Sequence, residues 1–276
     1  MSIFHNKIAV VTGGASGIGR ALVQNLASQG ARVVVADIQH DAAMDVAADI
    51  CSSGGRASAH YLDVTDNSAV ESFVDRIATD EGRIDYIFNN AGIAVLGEFR
   101  YLPGADWKRT LDVNVSGVFA GTAAAYAVMI RQGHGHIVNT ASVAGLVPAL
   151  GLVAYCASKH AVVGLSTSLR AEAAVYGVNV SVVCPGFIKT PMLDSKTVGM
   201  PADEKATAQI LRIAMTPEEC AAKALDGVAR NKAVIPVTRH AKVLWMIQRY
   251  APSLMHAYSR RMAGKSHQQR IKQGSK

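Results

Sequence analysis

The chain has few cysteines, no long apolar run and no acidic residue near its C-terminus. Its four cysteines, Cys51, Cys156, Cys184 and Cys220, form no CxxC pair and no metal-ligand spacing, which predicts reduced thiols and no metal site. Glycine, proline or charge interrupts each apolar stretch before the roughly 18 residues that a membrane-spanning helix needs. Only a few residues precede the first apolar run at Ile8, too few for a secretion signal. We therefore expect a cytoplasmic protein without a transmembrane helix.

Short apolar, β-branched segments alternate along the chain with longer helical patterns. The strand-like segments are residues 8–11, 33–36, 58–62, 86–89, 136–139, 179–183 and 233–237. The helical patterns are residues 20–29, 41–51, 68–81, 106–131, 155–176 and 217–230. Such alternation predicts right-handed βαβ units and a parallel sheet covered by helices on both faces. We therefore predict one α/β domain over residues 1–238, a Rossmann-like doubly wound parallel sheet of about seven strands. Its ligand crevice should lie at the carboxyl ends of the strands.

A glycine-rich loop, TGGASGIG, follows the first predicted strand and runs into a helix at Arg20. Its glycines let backbone amides approach a pyrophosphate without a Cβ in the way, and the start of the helix adds unpaired N–H groups. Strand, loop, helix and next strand follow in the order of a βαβ unit, which favours a dinucleotide site over the alternative of a tight turn. The cofactor contacts expected in this loop are Gly13, Ser16, Gly17, Ile18 and Gly19.

Asp37 ends the second predicted strand, close to the ~20 residues beyond the glycines at which a carboxylate can hydrogen-bond an adenosine ribose. The same carboxylate would repel a 2′-phosphate, and neither Ser16 nor Ile38 supplies a cation to offset that repulsion. The pattern therefore favours NAD(H) over NADP(H). A helix cap is the alternative role for Asp37, although Asp41 is better placed for it.

The spacing TGxxxGxG differs from GxGxxG and resembles that of the short-chain dehydrogenases. The resemblance covers residues 7–237 and includes NNAG at 89–92, Asn114, Ser142, YCASK at 155–159 and PGFIKT at 185–190. It implies an oxidoreductase that moves a hydride between a nicotinamide ring and a carbinol or carbonyl carbon. The C-terminal extension is where the resemblance ends.

Tyr155 and Lys159 stand four residues apart on a predicted helix, so their side chains share one face. A free tyrosine has a pKa of about 10 and is a poor base at neutral pH, so we expect a nearby ammonium and the positive nicotinamide to lower that pKa. The resemblance implies that Tyr155 is the general acid/base, that Lys159 also binds the nicotinamide ribose, and that Ser142 hydrogen-bonds the substrate oxygen. It also implies that Asn114 holds a water that relays protons; a hydrogen bond to backbone inside its helix is the alternative.

Further cofactor contacts are implied by the same resemblance at the ends of the other strands. They are Asp63 and Val64 beside the adenine, Asn90 and Gly92 along the ribose, and Ile188 and Thr190 at the carboxamide, with Ile38, Ala91, Pro185 and Gly186 as neighbouring contacts. Asp63 has an alternative role as the cap of the helix after the third strand.

Residues 143–154, VAGLVPALGLVA, carry no charge and occupy the place where the family builds one wall of its substrate cleft. Apolar side chains after the PGFIKT segment are candidates for the opposite wall or a lid: Phe187, Met192, Leu193, Met200, Ile210, Leu211, Ile213 and Met215. Together they indicate a bulky apolar alcohol or ketone of steroid, terpenoid or fatty type. Core packing or an oligomer contact explains the same residues equally well.

Small residues in GTAAAYA, 121–127, allow close helix packing. In the family that the chain resembles, the helices containing Asn114 and Tyr155 commonly pair between subunits, which implies a homotetramer. Burial against the chain's own sheet accounts for part of the same pattern.

The net charge of +7 is concentrated at the C-terminus. Residues 1–226 hold 17 Lys and Arg and all 21 Asp and Glu, whereas residues 227–276 hold the other 11 basic residues. Apolar residues recur among these cations at helical spacing, and Pro252 should break or restart the helix. Residues 239–276 are therefore predicted to form a basic amphipathic extension and not an independent domain. Packing on a neighbouring subunit or over the cleft is favoured over the two alternatives, peripheral contact with anionic lipid and nucleic-acid contact.

Two functions remain compatible with the sequence. One is an NAD-dependent alcohol dehydrogenase or ketone reductase for a hydrophobic substrate. The other is a non-catalytic NAD(H)-binding sensor or scaffold that uses the basic extension to bind a partner. The presence of Tyr155, Lys159 and Ser142 favours the enzyme, because a non-catalytic descendant is expected to lose the acid/base pair.

Overall fold

The computed structural model describes residues 2–199 and 210–272 and has the predicted doubly wound architecture. The strands of the main sheet are β1 (Ile8–Thr12), β2 (Arg32–Asp37), β3 (Arg56–Tyr61), β4 (Tyr86–Asn89), β6 (Gly135–Thr140), β7 (Val178–Cys184) and β9 (Val234–Pro236). They are all parallel and lie in the order β3-β2-β1-β4-β6-β7-β9. Two short strands, β5 (Leu96–Gly97) and β8 (Thr197–Val198), pair with each other outside this sheet. The prediction of a seven-stranded parallel α/β sheet is confirmed.

The helices agree with the predicted pattern except between the fourth and sixth strands. Those used below are α1 (Gly17–Ser28), α2 (His40–Ser52), α3 (Asn67–Asp80), α4 (Gly104–Leu111), α5 (Val118–Gln132), α6 (Val153–Ala173), α7 (Pro217–Ala229), α8 (Arg239–Tyr250) and α9 (Pro252–Lys272). One continuous helix was expected over residues 106–131. The structure has α4 and α5 joined by a π-helical turn, Asp112–Gly117.

The core lies in two layers, one on each face of the sheet. In β1, Ala9 and Val11 face the layer formed by α1, α2 and α7, whereas Val10 faces the layer formed by α3 and α5. This alternation follows from the two-residue period of a strand. Because both faces are covered, all five residues of β1 are buried, and the first four of them are apolar. Each buried valine stabilises the fold by about 1.5–3 kcal/mol.

The strand order places a crevice above the middle of the sheet. The chain builds β1, β2 and β3 outward in one direction and then returns to place β4 on the other side of β1. Connections after β1 and β4 therefore leave on opposite faces, and ligands of such sheets bind at this switch point, outside the carboxyl ends of the strands.

One helical segment has the length and composition of a membrane span, which the sequence analysis did not predict. The run Gly104–Gln132 has 29 residues, and its most apolar 18-residue window has a mean hydropathy of 1.6. Half of that window is buried inside the protein, where α5 packs against α3 and β6. Length and composition therefore do not distinguish this segment from an ordinary core helix.

The extension begins with two helices that pack beside β7 and β9. Helix α8 ends at Tyr250 and α9 begins at Pro252, as predicted. Ala241 and Met255 are buried, and Trp245 packs against the core cluster that contains residues of β7 and α6. The exposed face of α8 carries both apolar and basic residues.

Candidate active site

The glycine loop connects β1 to α1 at the switch point. Gly13 and Gly17 have positive φ values of 64° and 50°, a region that other residues rarely adopt. A Cβ on Gly13 would lie 2.8 Å from Ala91 Cα, and one on Gly19 would lie 1.9 Å from the Gly13 carbonyl oxygen. The loop therefore needs glycine at these positions to pack against NNAG and to turn tightly into α1.

The start of α1 is suited to an anion. Ser16 is its N-cap but makes no side-chain capping bond, and the first turn contains no acidic residue. Among the described residues, no side chain accepts a hydrogen bond from the first-turn amides of this helix. Unpaired amides and the positive end of the helix dipole fit the pyrophosphate of a dinucleotide.

Asp37 is held at the end of β2 beside this loop. Its Oδ2 accepts the Ala15 N–H at 3.0 Å, and its Oδ1 accepts the Gln39 N–H at 2.9 Å. Helix α2 has Gln39 as its N-cap, so neither Asp37 nor Asp41 caps it, and that alternative is wrong. The carboxylate thus lies at the crevice with the half-exposed Ile38 next to it.

Hydrogen bonds join the NNAG turn to the glycine loop. Thr12 Oγ1 accepts the N–H groups of Asn90 and Ala91 at 3.0 and 3.2 Å, and Asn90 Nδ2 donates to the Thr12 and Gly13 carbonyls, both at 3.2 Å. Gly92 follows directly, and a Cβ there would lie 3.3 Å from Lys159 Nζ. The turn therefore brings the predicted cofactor loops next to the predicted catalytic lysine.

Asp63 and Val64 lie farther along the same edge, after β3. Asp63 Oδ1 accepts hydrogen bonds from the amide and hydroxyl of Thr65 at 2.9 and 2.8 Å. Asp66, not Asp63, is the N-cap of α3, so the capping alternative for Asp63 is wrong. Val64 is buried against Gly117 of the π-helical turn.

Ser142, Tyr155 and Lys159 meet where β6 ends. Lys159 is buried, its Nζ donates to the Thr140 carbonyl at 2.9 Å, and it lies 5.6 Å from the centroid of the Tyr155 ring. Ser142 Oγ accepts the Ala144 N–H at 3.2 Å, and its hydroxyl is close enough to the Tyr155 phenol to lower the pKa of that group. The predicted catalytic side chains are therefore neighbours.

Burial dominates the protonation behaviour of this group. It raises the pKa of Tyr155 to about 12, and the hydrogen bond from Ser142 offsets only part of that rise. It also lowers the pKa of Lys159 to about 8. The expected lowering of the Tyr155 pKa by Lys159 is not found within the chain itself, because desolvation of the phenol is the larger effect.

Asn114 is fully buried in the π-helical turn, and each of its side-chain polar atoms is engaged. Oδ1 accepts the Ile93 N–H at 2.8 Å, while Nδ2 donates to the Ile93 carbonyl at 2.9 Å and to Ser158 Oγ at 3.0 Å. Its backbone partner is Ile93, outside the helix, so the hydrogen bond to backbone inside its own helix is not what the structure has. π-Helical turns within α-helices occur frequently at functional sites.

The PGFIKT segment crosses the crevice from Ser142 to the glycine loop. The Pro185 carbonyl accepts the Val143 N–H at 2.7 Å. Ile188 is buried, and Thr190 lies so close to Gly17 that a Cβ there would be 3.1 Å from its Cγ2. Gly186 and Phe187 contact the extension, as described below. All the predicted cofactor loops therefore border one crevice.

The expected substrate walls converge on the same side. The Gly97 N–H donates to the Gly151 carbonyl at 2.8 Å, and the Leu96 N–H donates to the Lys196 carbonyl at 2.9 Å. These bonds join the segments after β4, before α6 and after β7. Exposed apolar side chains on them are Leu150, Val153, Phe187, Met192, Leu211 and Ile213. Met200, also predicted for a wall, lies outside the described residues.

Three residues of this site escaped the sequence analysis. Thr140 supplies the carbonyl that accepts from Lys159, and Ser158 supports Asn114. His240 contacts the PGFIKT segment from the extension. Ser158 lies within the YCASK motif, so the sequence contained a signal for it. The roles of Thr140 and His240 depend on contacts between distant parts of the chain.

The chain is similar to known dehydrogenases over most of its length. Residues 7–200 match the family model described as short chain dehydrogenase. The chain is 35% identical over 267 residues to "Probable oxidoreductase EphD" of Mycobacterium tuberculosis, covering 93% of this chain but only 45% of that protein. It is 38% identical over 193 residues to cyclohexanol dehydrogenase of an Acinetobacter species, covering 69% of this chain and 76% of that protein.

A solved structure agrees with this similarity. The short chain dehydrogenase/reductase from Burkholderia phymatum, crystallised in complex with NAD, matches with a TM-score of 0.83 at 29% identity. The match covers 92% of this chain and 96% of that one.

Proposed function

The chain belongs to the short chain dehydrogenase family, and from that premise we propose that it is an NAD(H)-dependent enzyme interconverting apolar secondary alcohols and ketones. One observation carries the proposal. Ser142, Tyr155 and Lys159 are neighbours at the end of β6, beside a glycine loop whose helix amides are open to a ligand.

The residues of the crevice fit a dinucleotide. The glycine loop and the amides of α1 would hold the pyrophosphate, Asp37 the adenosine ribose, Lys159 the nicotinamide ribose, and residues 185–190 the carboxamide. A carboxylate at the end of β2 supports NAD over NADP, because it would repel a 2′-phosphate. When bound there, a nicotinamide would supply the hydride acceptor for an alcohol or the hydride donor for a ketone.

Side chains of the protein itself would transfer the proton. During oxidation Tyr155 Oη takes the proton of the substrate hydroxyl, and during reduction it returns one. Ser142 would turn its hydroxyl proton from Tyr155 to the substrate oxygen and hold that oxygen while charge develops on it. Lys159 keeps a positive charge near the phenol below its pKa of about 8. Since burial raises the pKa of Tyr155, oxidation should become faster as the pH rises.

Exposed apolar side chains around the crevice support a bulky apolar substrate. The similarity to an enzyme named cyclohexanol dehydrogenase points in the same direction. Phe119, exposed on α5 beside α6, supports a homotetramer that pairs these helices. The chain spans less than half of EphD, so activities of that longer protein are not assigned to this chain.

The test is NADH formation from cyclohexanol and larger apolar secondary alcohols, with NAD and NADP compared, in wild type and Tyr155→Phe. We expect the substitution to lower kcat by about 10²- to 10⁴-fold without loss of stability. The matched control is Tyr176→Phe, which alters a half-exposed tyrosine just after the end of α6. Equal activity in Tyr155→Phe would reject the mechanism, and no turnover of any alcohol or ketone would reject the function.

A further inference from the structure

The first turn of the C-terminal extension lies against the segment that follows β7. We infer that His240, on α8, is a positioning residue that holds residues 185–190 in their cofactor-binding conformation. Its neutral imidazole does so by accepting a hydrogen bond from the Phe187 N–H. The inference rests on the proposed function, which assigns residues 185–190 to the nicotinamide. It also gives the extension a role in the cofactor site.

Two contacts join His240 to this segment. The Phe187 N–H donates to His240 Nε2 at 3.3 Å, and the two rings stack with their centroids 5.5 Å apart and 27° between their planes. Gly186 permits this approach, because a Cβ there would lie 2.1 Å from Nε2 and 2.3 Å from Thr238 Oγ1. The start of α8 is therefore packed directly onto the backbone of the segment.

The Phe187 amide determines which imidazole nitrogen carries the proton, because an N–H can only donate, and Thr238 is compatible with the same assignment. Thr238 Oγ1 accepts the Ala241 N–H at 3.2 Å as the N-cap of α8 and lies 3.2 Å from His240 Nε2. The hydroxyl proton is then free to point at Nε2. With two donors directed at it, the Phe187 amide and the Thr238 hydroxyl, Nε2 acts as an acceptor, which assigns the neutral tautomer protonated at Nδ1.

The surroundings of the ring favour this neutral form. Burial lowers the pKa of His240. The groups that face the ring are the amide and ring of Phe187 and the hydroxyl of Thr238. Within the described part of the chain, no carboxylate pairs with His240, and the neighbouring cations Arg239 and Lys189 are exposed. None of the described residues would therefore compensate a positive charge on the ring.

Protonation would therefore weaken one of the supports of the segment. Its other supports are backbone bonds: the Lys189 N–H donates to the Met215 carbonyl, and the Met215 N–H donates to the Phe187 carbonyl, both at 3.0 Å. These do not titrate. A protonated His240 would set an Nε2–H against the Phe187 N–H, so the affinity for NAD(H) should fall as the pH falls through the pKa of His240.

The first experiment measures NADH affinity by fluorescence titration at about pH 8 and about pH 5, the lower value being chosen because burial moves the pKa of His240 below the ordinary histidine value of 6.5. We expect wild type to lose affinity at the lower pH, and His240→Leu to bind about three- to tenfold more weakly at the higher pH, as loss of one hydrogen bond implies. His240→Leu should also lose the pH dependence. His240→Gln keeps an acceptor that does not titrate, so it should bind well at both pH values.

The matched control is His134→Gln, which alters an exposed histidine just before the amino end of β6, at the end of the sheet away from residues 185–190. kcat at saturating cofactor should be nearly unchanged in the His240 variants, because none of the reacting groups is altered. Wild-type affinity in His240→Leu, or unchanged pH dependence in it, would overturn the inference.

A second readout does not require cofactor binding. Hydrogen exchange of the Phe187 amide in the free protein should be faster in His240→Leu than in His134→Gln at the same pH, and His240→Gln should restore protection. Should wild type bind no NADH, the proposed function fails, while this exchange comparison still decides whether His240 holds the segment. Equal exchange in all variants would contradict the inference, and thermal unfolding identifies any variant that does not fold.

Discussion

The two ends of the parallel sheet both contain a buried charged side chain, but only the charge at the amino ends has ionic partners among the described residues. At the amino ends, Asp85 accepts the Ile8 N–H at 2.8 Å and pairs with Arg83 and Lys7 at 2.9 and 3.1 Å. At the carboxyl ends, Lys159 is equally buried but donates to a single carbonyl, with no carboxylate beside it in the described part of the chain.

Other groups at the two ends repeat this contrast. His136, near the amino end of β6, bonds to Ser181 Oγ at 2.8 Å, and that hydroxyl donates to the Lys232 carbonyl at 2.6 Å. The N-cap Ser16 of α1, at the carboxyl end, makes no side-chain bond to its helix. Groups satisfied internally stabilise the fold, whereas donors left open can bind a ligand. The amino ends should therefore govern stability and the carboxyl ends activity.

The largest expected effect is the loss of activity in Lys159→Met. Removing the ammonium beside the Tyr155 ring should lower kcat/KM for alcohol oxidation by about 10²-fold or more. The free energy of unfolding should stay the same or rise, because a desolvated charge is replaced by an apolar chain of similar length. Lys7→Met is the control at the other end of the sheet. A small stability loss with unaltered kcat is expected there, and the reverse result for either variant would remove the contrast.

His136 should make the protein less stable in mild acid. Burial lowers its pKa from 6.5 to about 4, so the unfolded chain takes up a proton at a pH where the folded chain does not. The contribution of neutral His136 to the free energy of unfolding is fully present above pH 6.5. It should fall by about 3 kcal/mol as the pH drops to about 4. Urea denaturation at several pH values measures this slope. His136→Gln should flatten it; an identical slope in the variant would show that other groups cause it.

Ionised Asp85 should contribute less to the free energy of unfolding than neutral His136 does. Burial alone would raise the pKa of Asp85, but the hydrogen bonds from Ile8, Arg83 and Lys7 outweigh burial and hold the pKa below 3.8. Its contribution is present at neutral pH and is lost as the pH falls below that value. Asp85→Asn should lower the free energy of unfolding by about 2 kcal/mol at neutral pH and much less in strong acid. An equal loss at both pH values would mean that packing, not charge, is responsible.

The substitution Asp37→Asn should have the smallest effect, and it should change only the preference for NAD over NADP. Asp37→Asn keeps an oxygen that can accept from the glycine loop but removes the charge expected to repel a 2′-phosphate. The ratio of kcat/KM with NAD to that with NADP should fall by about tenfold, or about 1.4 kcal/mol. Asp41→Asn, on the exposed side of α2, should leave the ratio as it is. An unchanged ratio in Asp37→Asn would remove the basis for the NAD preference.

The sheet and the position of the site could be predicted because their signals are local. β-Branched segments, the glycines after β1 and the four-residue spacing of Tyr155 and Lys159 each depend on neighbours in sequence. The π-helical turn was missed because it interrupts an apolar helix without changing its composition. The raised pKa of Tyr155 depends on how deeply tertiary packing buries it. The contact between Phe187 and His240 joins residues 53 positions apart, which no local pattern reveals.

Hydrogen exchange with and without saturating NADH tests the division between the two ends most directly. Our account predicts new protection of the amides of the glycine loop, of NNAG and of residues 185–190, with little change around Asp85 and His136. Protection centred on the amino ends, or no protection at the glycine loop, would contradict it.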